Sequence, residues 1–286
     1  MTDGTRRGDD PLRDPGLTGL LRGVWRILTC RPRVPPRLRD NRALRTVLER
    51  RSRRAFTDAP IADDAWAAIL EAGRVAPSTV NLQTWGFVTF DRDRWRETFG
   101  QPLPLGGRRA VIVLADTHRL RRVLDVFPDS PLVEYTVGVI NASLAAMNMT
   151  VAAEALGIGS VMLSETGRGG FLDTDYLAER LALPERVTPL MTIVFGHPRG
   201  PRPAMPPRLP LDQVAWEGRY READQAVLEQ WREQMLAGYK VSNRGASFRS
   251  QVAVYLAKIG RAEAELRARV LGTTPPAEDG PSGRDP

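Results

Sequence analysis

Helices and strands alternate along this chain, which predicts an α/β or α+β protein. Three observations carry the expectation. Trp66, Ile69 and Leu70 fall at i, i+3 and i+4, as on the buried face of a helix. The run AVIVLAD, Ala110 to Asp116, is rich in β-branched residues and bounded by turns, so it reads as a buried strand. Tyr135 to Ala153 carries no charge over a helical length, with Glu134 and Glu154 at its ends.

Taken in order, residues 1–40 are rich in Arg, Pro, Gly and Asp and read as partly disordered, with a candidate amphipathic helix at 17–30. Asp40 or Asn41 caps a helix bearing Leu44, Val47 and Leu48. Asp63 caps the next helix and Gly73 ends it. WGFVTFD reads as a strand and RDRWRETFG as a short helix. Pro131 opens the long helix, which ends near Gly157. SVMLS and LMTIVFG are further strands, separated by a helix capped by Asp173. From Gly200 a proline-rich arm follows, then polar, helix-prone sequence beyond Arg219 and a tail after Gly272 that reads as disordered.

The 286 residues allow one large domain with a substantial core. Net charge is +7, yet 39 of the 41 basic residues are arginine, only Lys240 and Lys258 being lysine. Such uniform usage reads as a composition bias, and no nucleic-acid partner is expected. One cysteine, Cys30, excludes an internal disulfide, and two histidines without H-x-x-x-H spacing argue against a metal site. The chain is expected to be cytoplasmic. LTGLLRGVWRILTC is interrupted by Arg22 and Arg26, which argues against a signal peptide. Its helix lies on a membrane or protein surface, or packs on its own domain or a partner subunit. The 135–153 segment approaches bilayer length, but Thr136, Asn141, Ser143, Asn148 and Thr150 make it the central helix of a water-soluble domain, without stable membrane insertion.

Two short stretches could carry chemistry. In RRSRRAF, Arg50 to Phe56, an extended chain puts Arg50, Ser52 and Arg54 in one row, about 6.6 Å per step. That row suits an elongated anion, since guanidinium grips phosphate by a bidentate fork; a solvated basic face is the alternative. The loop APSTVNLQTW, Ala76 to Trp85, offers amides and hydroxyls suited to a planar heterocycle, or to its own backbone. No G-x-S-x-G, G-x-G-x-x-G or P-loop is present, so any chemistry would belong to a bound cofactor.

RRSRRAFTDAPI, ILEAGRVAPSTVNLQTWGFV, ALGIGSVML and VFGHPRGPRPAMPPRLPLDQV, in that order, resemble the nitroreductase superfamily over about residues 43–217. The resemblance implies an α+β, three-layer α/β/α sandwich, a homodimer with the long central helix at its interface, and FMN shared between the chains. It matches Arg50, Arg51 and Ser52 to the FMN phosphate and ribityl chain. Arg54 is matched to flavin N1 and O2, where a fixed cation stabilises the charge of the reduced ring. Pro77, Ser78, Asn81 and Gln83 are matched to contacts from the partner subunit, Leu163, Ser164 and Glu165 to the flavin ring and N5, and Arg208 to the phosphate. Thr84 stands where the family commonly has proline, which is expected to loosen the loop.

The implied division is an N-terminal extension at 1–40, an FMN-binding domain at 41–219 and a C-terminal extension at 220–286. The implied activity is hydride transfer from NADPH or NADH through flavin N5 to an electron-poor small-molecule acceptor, such as a nitroaromatic or quinone. Relatives that dehalogenate, desaturate or consume flavin, and a non-catalytic flavin-binding or interaction protein, are the alternatives.

Overall fold

The computed structural model describes residues 12, 16–32, 34–163, 171–242 and 248–272. In chain order the elements are α1 (Leu17–Thr29), α2 (Arg42–Glu49), α3 (Asp63–Arg74), β1 (Trp85–Asp91), α4 (Arg92–Phe99), β2 (Arg109–Asp116) and α5 (His118–Arg121). There follow α6 (Pro131–Ala155), β3 (Gly159–Leu163), α7 (Thr174–Arg180), β4 (Val187–Gly196), α8 (Gln225–Ser242) and α9 (Phe248–Leu271). They fall into two compact units, residues 40–201 with 258–286 and residues 1–39 with 202–257.

The larger unit holds one antiparallel sheet in the order β1-β2-β4-β3. β2 is buried along nearly its whole length because both faces are covered. Val111 and Val113 join a core with Trp66, Ile69, Met149 and Phe195, under α3 and α6. Ala110 and Ile112 face the other way, into a core with Trp95, Phe99 and Leu177, under α4 and α7. Period-two alternation of apolar residues thus makes three layers, helices–sheet–helices, and the α+β sandwich stands.

Small side chains let α6 lie close against the sheet. Ala142, Ala145, Ala146 and Ala153 are buried along it. At Gly138 an added Cβ would approach that of Ala115 to 3.1 Å. Gly73 works the same way. α3 continues through it to Arg74, so it does not end the helix as expected; a Cβ there would sit 2.9 Å from Met149 Cγ. α3 is capped by Ala62 rather than Asp63, whose carboxylate accepts from Arg109 at 3.1 Å instead. Asn41 caps α2, accepting from the Leu44 N–H at 2.9 Å. Asp173 precedes α7 without bonding its backbone, and faces Lys258 and Arg261 at 3.6 and 3.4 Å.

The smaller unit pairs α1 with α8. Gly23 makes the approach possible, since its added Cβ would lie 2.5 Å from Ala237 Cβ. Leu17, Leu21, Trp25 and Leu28 form the opposite, exposed stripe of α1.

By length and composition α6 could cross a membrane. Its buried face argues for the core-helix reading, and its first turn is fixed by an ion cluster. Glu134, only 3% exposed, accepts from Arg121 Nε and Nη2 at 3.0 Å each and from Arg186 Nη1 at 2.5 Å. Hydrogen bonding by Glu134 holds the Arg121 guanidinium above its ordinary range. Removing the acid leaves two cations against the core edge. Glu134→Ala is therefore expected to lower stability by about 3–5 kcal/mol, read from the shift of the urea unfolding midpoint.

Candidate functional site

The run from Arg50 to Phe56 leaves α2 as extended chain and docks beside the sheet. Ser52 forms a parallel bridge with Ser160 of β3, and the Arg53 N–H donates to the Ser160 carbonyl at 2.9 Å. Phe56 bridges Pro198 just beyond β4 and is buried. Extended geometry then sorts the side chains by parity.

The odd positions hold backbone. Arg51 Nη1 donates to the Leu48 and Arg50 carbonyls at 2.9 and 2.7 Å, closing the C-terminus of α2. Arg53 Nη1 donates to Pro201 O at 2.8 Å, and its stem lies over Gly159, where an added Cβ would come within 2.8 Å of Arg53 Cγ. The even positions keep their donors. Among the described residues the Ser52 hydroxyl and the exposed Arg54 guanidinium make no hydrogen bond, and Nε of Arg50, like Nε of Arg51, is buried without one. A buried guanidinium N–H with no acceptor is costly unless a ligand supplies one. The row formed by Arg50, Ser52 and Arg54 therefore fits a phosphate-bearing, elongated group.

The 76–85 loop is strained and anchored. Val80, Asn81 and Gln83 have φ of 47°, 57° and 50°, which is unusual for a β-branched residue such as Val80. Both ends of the loop are tied to α6 through Asn141, which is fully buried. Its Oδ1 accepts from the Thr79 N–H at 3.0 Å and the Thr79 hydroxyl at 3.2 Å, and its Nδ2 donates to Thr84 Oγ1 at 2.8 Å. Thr84 is itself 0% exposed, and its carbonyl accepts from the Asp116 N–H at 3.2 Å. The expectation that Thr84 loosens the loop is corrected: its hydroxyl fastens it.

Inside the loop, Ser78 Oγ accepts from the Gln83 N–H at 3.1 Å, and Gln83 Nε2 donates to the Asn81 carbonyl at 3.4 Å. The self-bonding reading thus holds for part of Ser78 and Gln83. The Asn81 side chain is exposed and makes no hydrogen bond among the described residues, and Pro77 is exposed beside it. Trp85 is buried and begins β1, and its carbonyl accepts from Arg119, which also pairs with Asp116 at 2.7 Å.

Leu163 ends β3 opposite Thr192, half-buried. Ser164 and Glu165 lie outside the described residues. Arg208 is exposed on the extended arm of the smaller unit. Within the larger unit Arg50, Ser52 and Arg54 occupy alternate positions of an extended run that is bridged to β3 at Ser52. The hydrogen bonds of the 76–85 loop run within itself, to α6, to the Gly73 carbonyl of α3, to the Asp116 N–H and to the Arg119 side chain. Among the described residues no cluster of three or more His, Cys, Asp or Glu could hold a metal. The sequence reading does not place Asn141 or Thr84 at the site, and its available signal is an amide within the long apolar helix, which also carries Asn148.

The family model described as Nitroreductase family matches residues 47–197, from the end of α2 to the end of β4. The chain belongs to the nitroreductase family. It is 32% identical over 208 residues to the FMN reductase [NAD(P)H] of Bacillus subtilis, covering 68% of this chain and 82% of that protein. It is also 32% identical over 198 residues to the oxygen-insensitive NADPH nitroreductase of Salmonella typhimurium, covering 66% and 79%. Among solved structures, the NADPH:FMN oxidoreductase of Vibrio harveyi complexed with NAD+ superposes with a TM-score of 0.60 at 26% identity, over 76% of this chain and 92% of that one. Nitroreductase A of Vibrio parahaemolyticus gives 0.61 at 25% identity, over 76% and 91%.

Thr84→Val keeps the shape but strands the buried Asn141 amide. It is expected to cost about 1–3 kcal/mol of stability and to speed proteolysis within 76–84, both measured on the intact chain.

Proposed function

We propose that this chain is a cytoplasmic, homodimeric, FMN-dependent oxidoreductase that uses NADPH or NADH to reduce an electron-poor acceptor such as a nitroaromatic or a quinone. The observation that carries the reading is the set of donors left open in the 50–54 run: Arg50 Nε and Arg51 Nε are buried without a hydrogen bond, and Ser52 and Arg54 make none among the described residues, while Arg51 Nη1 and Arg53 Nη1 secure backbone. The names of the relatives, an FMN reductase and NADPH-dependent nitroreductase and flavin oxidoreductases, agree with it.

Within the 41–219 module, Arg50 and Ser52 would hold the cofactor's phosphate and ribityl chain, with Arg208 adding a second phosphate contact. Arg54 would set a positive charge at the N1–O2 edge, where negative charge develops on reduction. The flavin these residues would hold would supply the hydride-transfer chemistry between nicotinamide and acceptor. Ser78, Asn81 and Gln83 would meet the flavin edge from the neighbouring subunit, and Leu163, Ser164 and Glu165 would border its ring.

Dimerisation has its own support. Val133, Ile140, Leu144 and Met147 are exposed on α6, and with Val137 and Val151 they repeat at alternating spacings of four and three. That is the seam by which two helices pack. The same helix holds the 76–85 loop through Asn141, so an isologous contact along it would present each loop to the partner.

Four outcomes are expected. Protein reconstituted with FMN is yellow and bleaches anaerobically with NADPH or NADH; no bound flavin would overturn the reading. Arg54→Ala keeps the dimer in sedimentation but slows flavin reduction by roughly 10²-fold in stopped flow, whereas Arg208→Ala chiefly weakens FMN retention on gel filtration. Leu144→Arg yields monomers.

A further inference from the structure

The larger unit contains a second polar cavity that shares no lining residue with the Arg50–Arg54 row. Its empty volume is about 300 Å³, opening to solvent. Thr117 after β2, Glu134 and Tyr135 of α6, Arg186 before β4, Thr188 within β4 and Arg269 near the end of α9 supply its polar wall.

Glu134 is the only acid in that wall, and both its oxygens are occupied by Arg121 and Arg186. The donors are in a different state. Arg269 Nε donates to Val187 O at 2.7 Å, and Nη2 donates to Leu183 O and Pro184 O at 3.1 and 2.8 Å. These bonds immobilise the guanidinium and leave Nη1 without a hydrogen bond among the described residues. No carboxylate pairs with Arg269 there, and desolvation pushes its pKa below the ordinary arginine range. Arg186 uses Nη1 on Glu134, leaving Nε and Nη2. The hydroxyls of Tyr135 and Thr188 also make no side-chain hydrogen bond among the described residues, and Thr188 is only 3% exposed.

Two arginines, a tyrosine and a threonine therefore line a recess whose one carboxylate is already saturated. Asp175 and Glu185 act on Arg269 electrostatically from outside the wall, but the wall itself is rich in donors and poor in acceptors. Such a wall is complemented by a group with several lone pairs and negative charge. The empty space includes the opening to solvent, so the enclosed part has room for little more than the oxyanion head and the rest of the ligand would lie in the opening. We propose that this cavity binds a compact organic oxyanion, a carboxylate or a phosphate monoester, gripped by Arg186 and Arg269 with the Tyr135 and Thr188 hydroxyls. The ligand would bridge the start of α6, the start of β4 and the end of α9.

The test is calorimetric titration of the full chain, saturated with FMN so that the first phosphate site is filled, using inorganic phosphate, acetate and benzoate with chloride as control. Saturable binding of phosphate or of a carboxylate is expected, and which of them binds identifies the oxyanion. Arg186→Gln should weaken it about tenfold or more. Thr188→Val, which keeps charge and shape, should weaken it severalfold, with flavin content unchanged in both. Heats no different from chloride, or affinity unaltered in both variants, would overturn the proposal.

Discussion

A strand buried on both faces has no polar side to offer to water, and β2 is such a strand. Its alternating side chains enter two separate cores, one under α3 and α6 and one under α4 and α7. Slipping its register by one residue would exchange the two sets and misfit both cores. With β2 held, β4 and β1 are fixed on its flanks, and β3 follows on β4. The outer edge of β3 then becomes the place where the Arg50–Arg54 run docks. The position of the candidate site is thus a consequence of how the sheet is filled.

That docking explains how five residues with four arginines avoid being a mere patch of charge. An extended chain beside a strand must point alternate side chains in opposite directions. Arg51 and Arg53, turned toward the protein, find carbonyls at the end of α2 and at Pro201. Arg50, Ser52 and Arg54 are left with donors to give. The basic run works structurally on one side and is available for an anionic group on the other.

α6 links the remaining parts. Its small residues allow close contact with the sheet, Glu134 gathers two arginines at its start, and Asn141 holds the 76–85 loop in a strained form. A buried amide with a hydroxyl at each loop end is a directional clamp, whereas apolar contacts would leave the loop free to slide. The strain at Val80 persists because these bonds over-determine the backbone around it. The exposed seam on the other side of α6 would carry that loop toward a second copy.

Local pattern alone settled the element types. Trp66, Ile69 and Leu70, the AVIVLAD run and the uncharged 135–153 segment each lie where their periodicity places them, because 3.6 and 2.0 repeats are properties of contiguous sequence. The ordered motifs were likewise enough for the family. Only tertiary structure decided that Arg53 is tied down, since the carbonyls of Ser160 and Pro201 that accept from it are over a hundred residues away in sequence. It also reversed the meaning of Thr84, whose hydroxyl meets an amide 57 residues distant, and of Gly73, which makes room for Met149 rather than ending a helix. Contacts between distant segments depend on how layers stack, and nothing in the neighbouring residues encodes them.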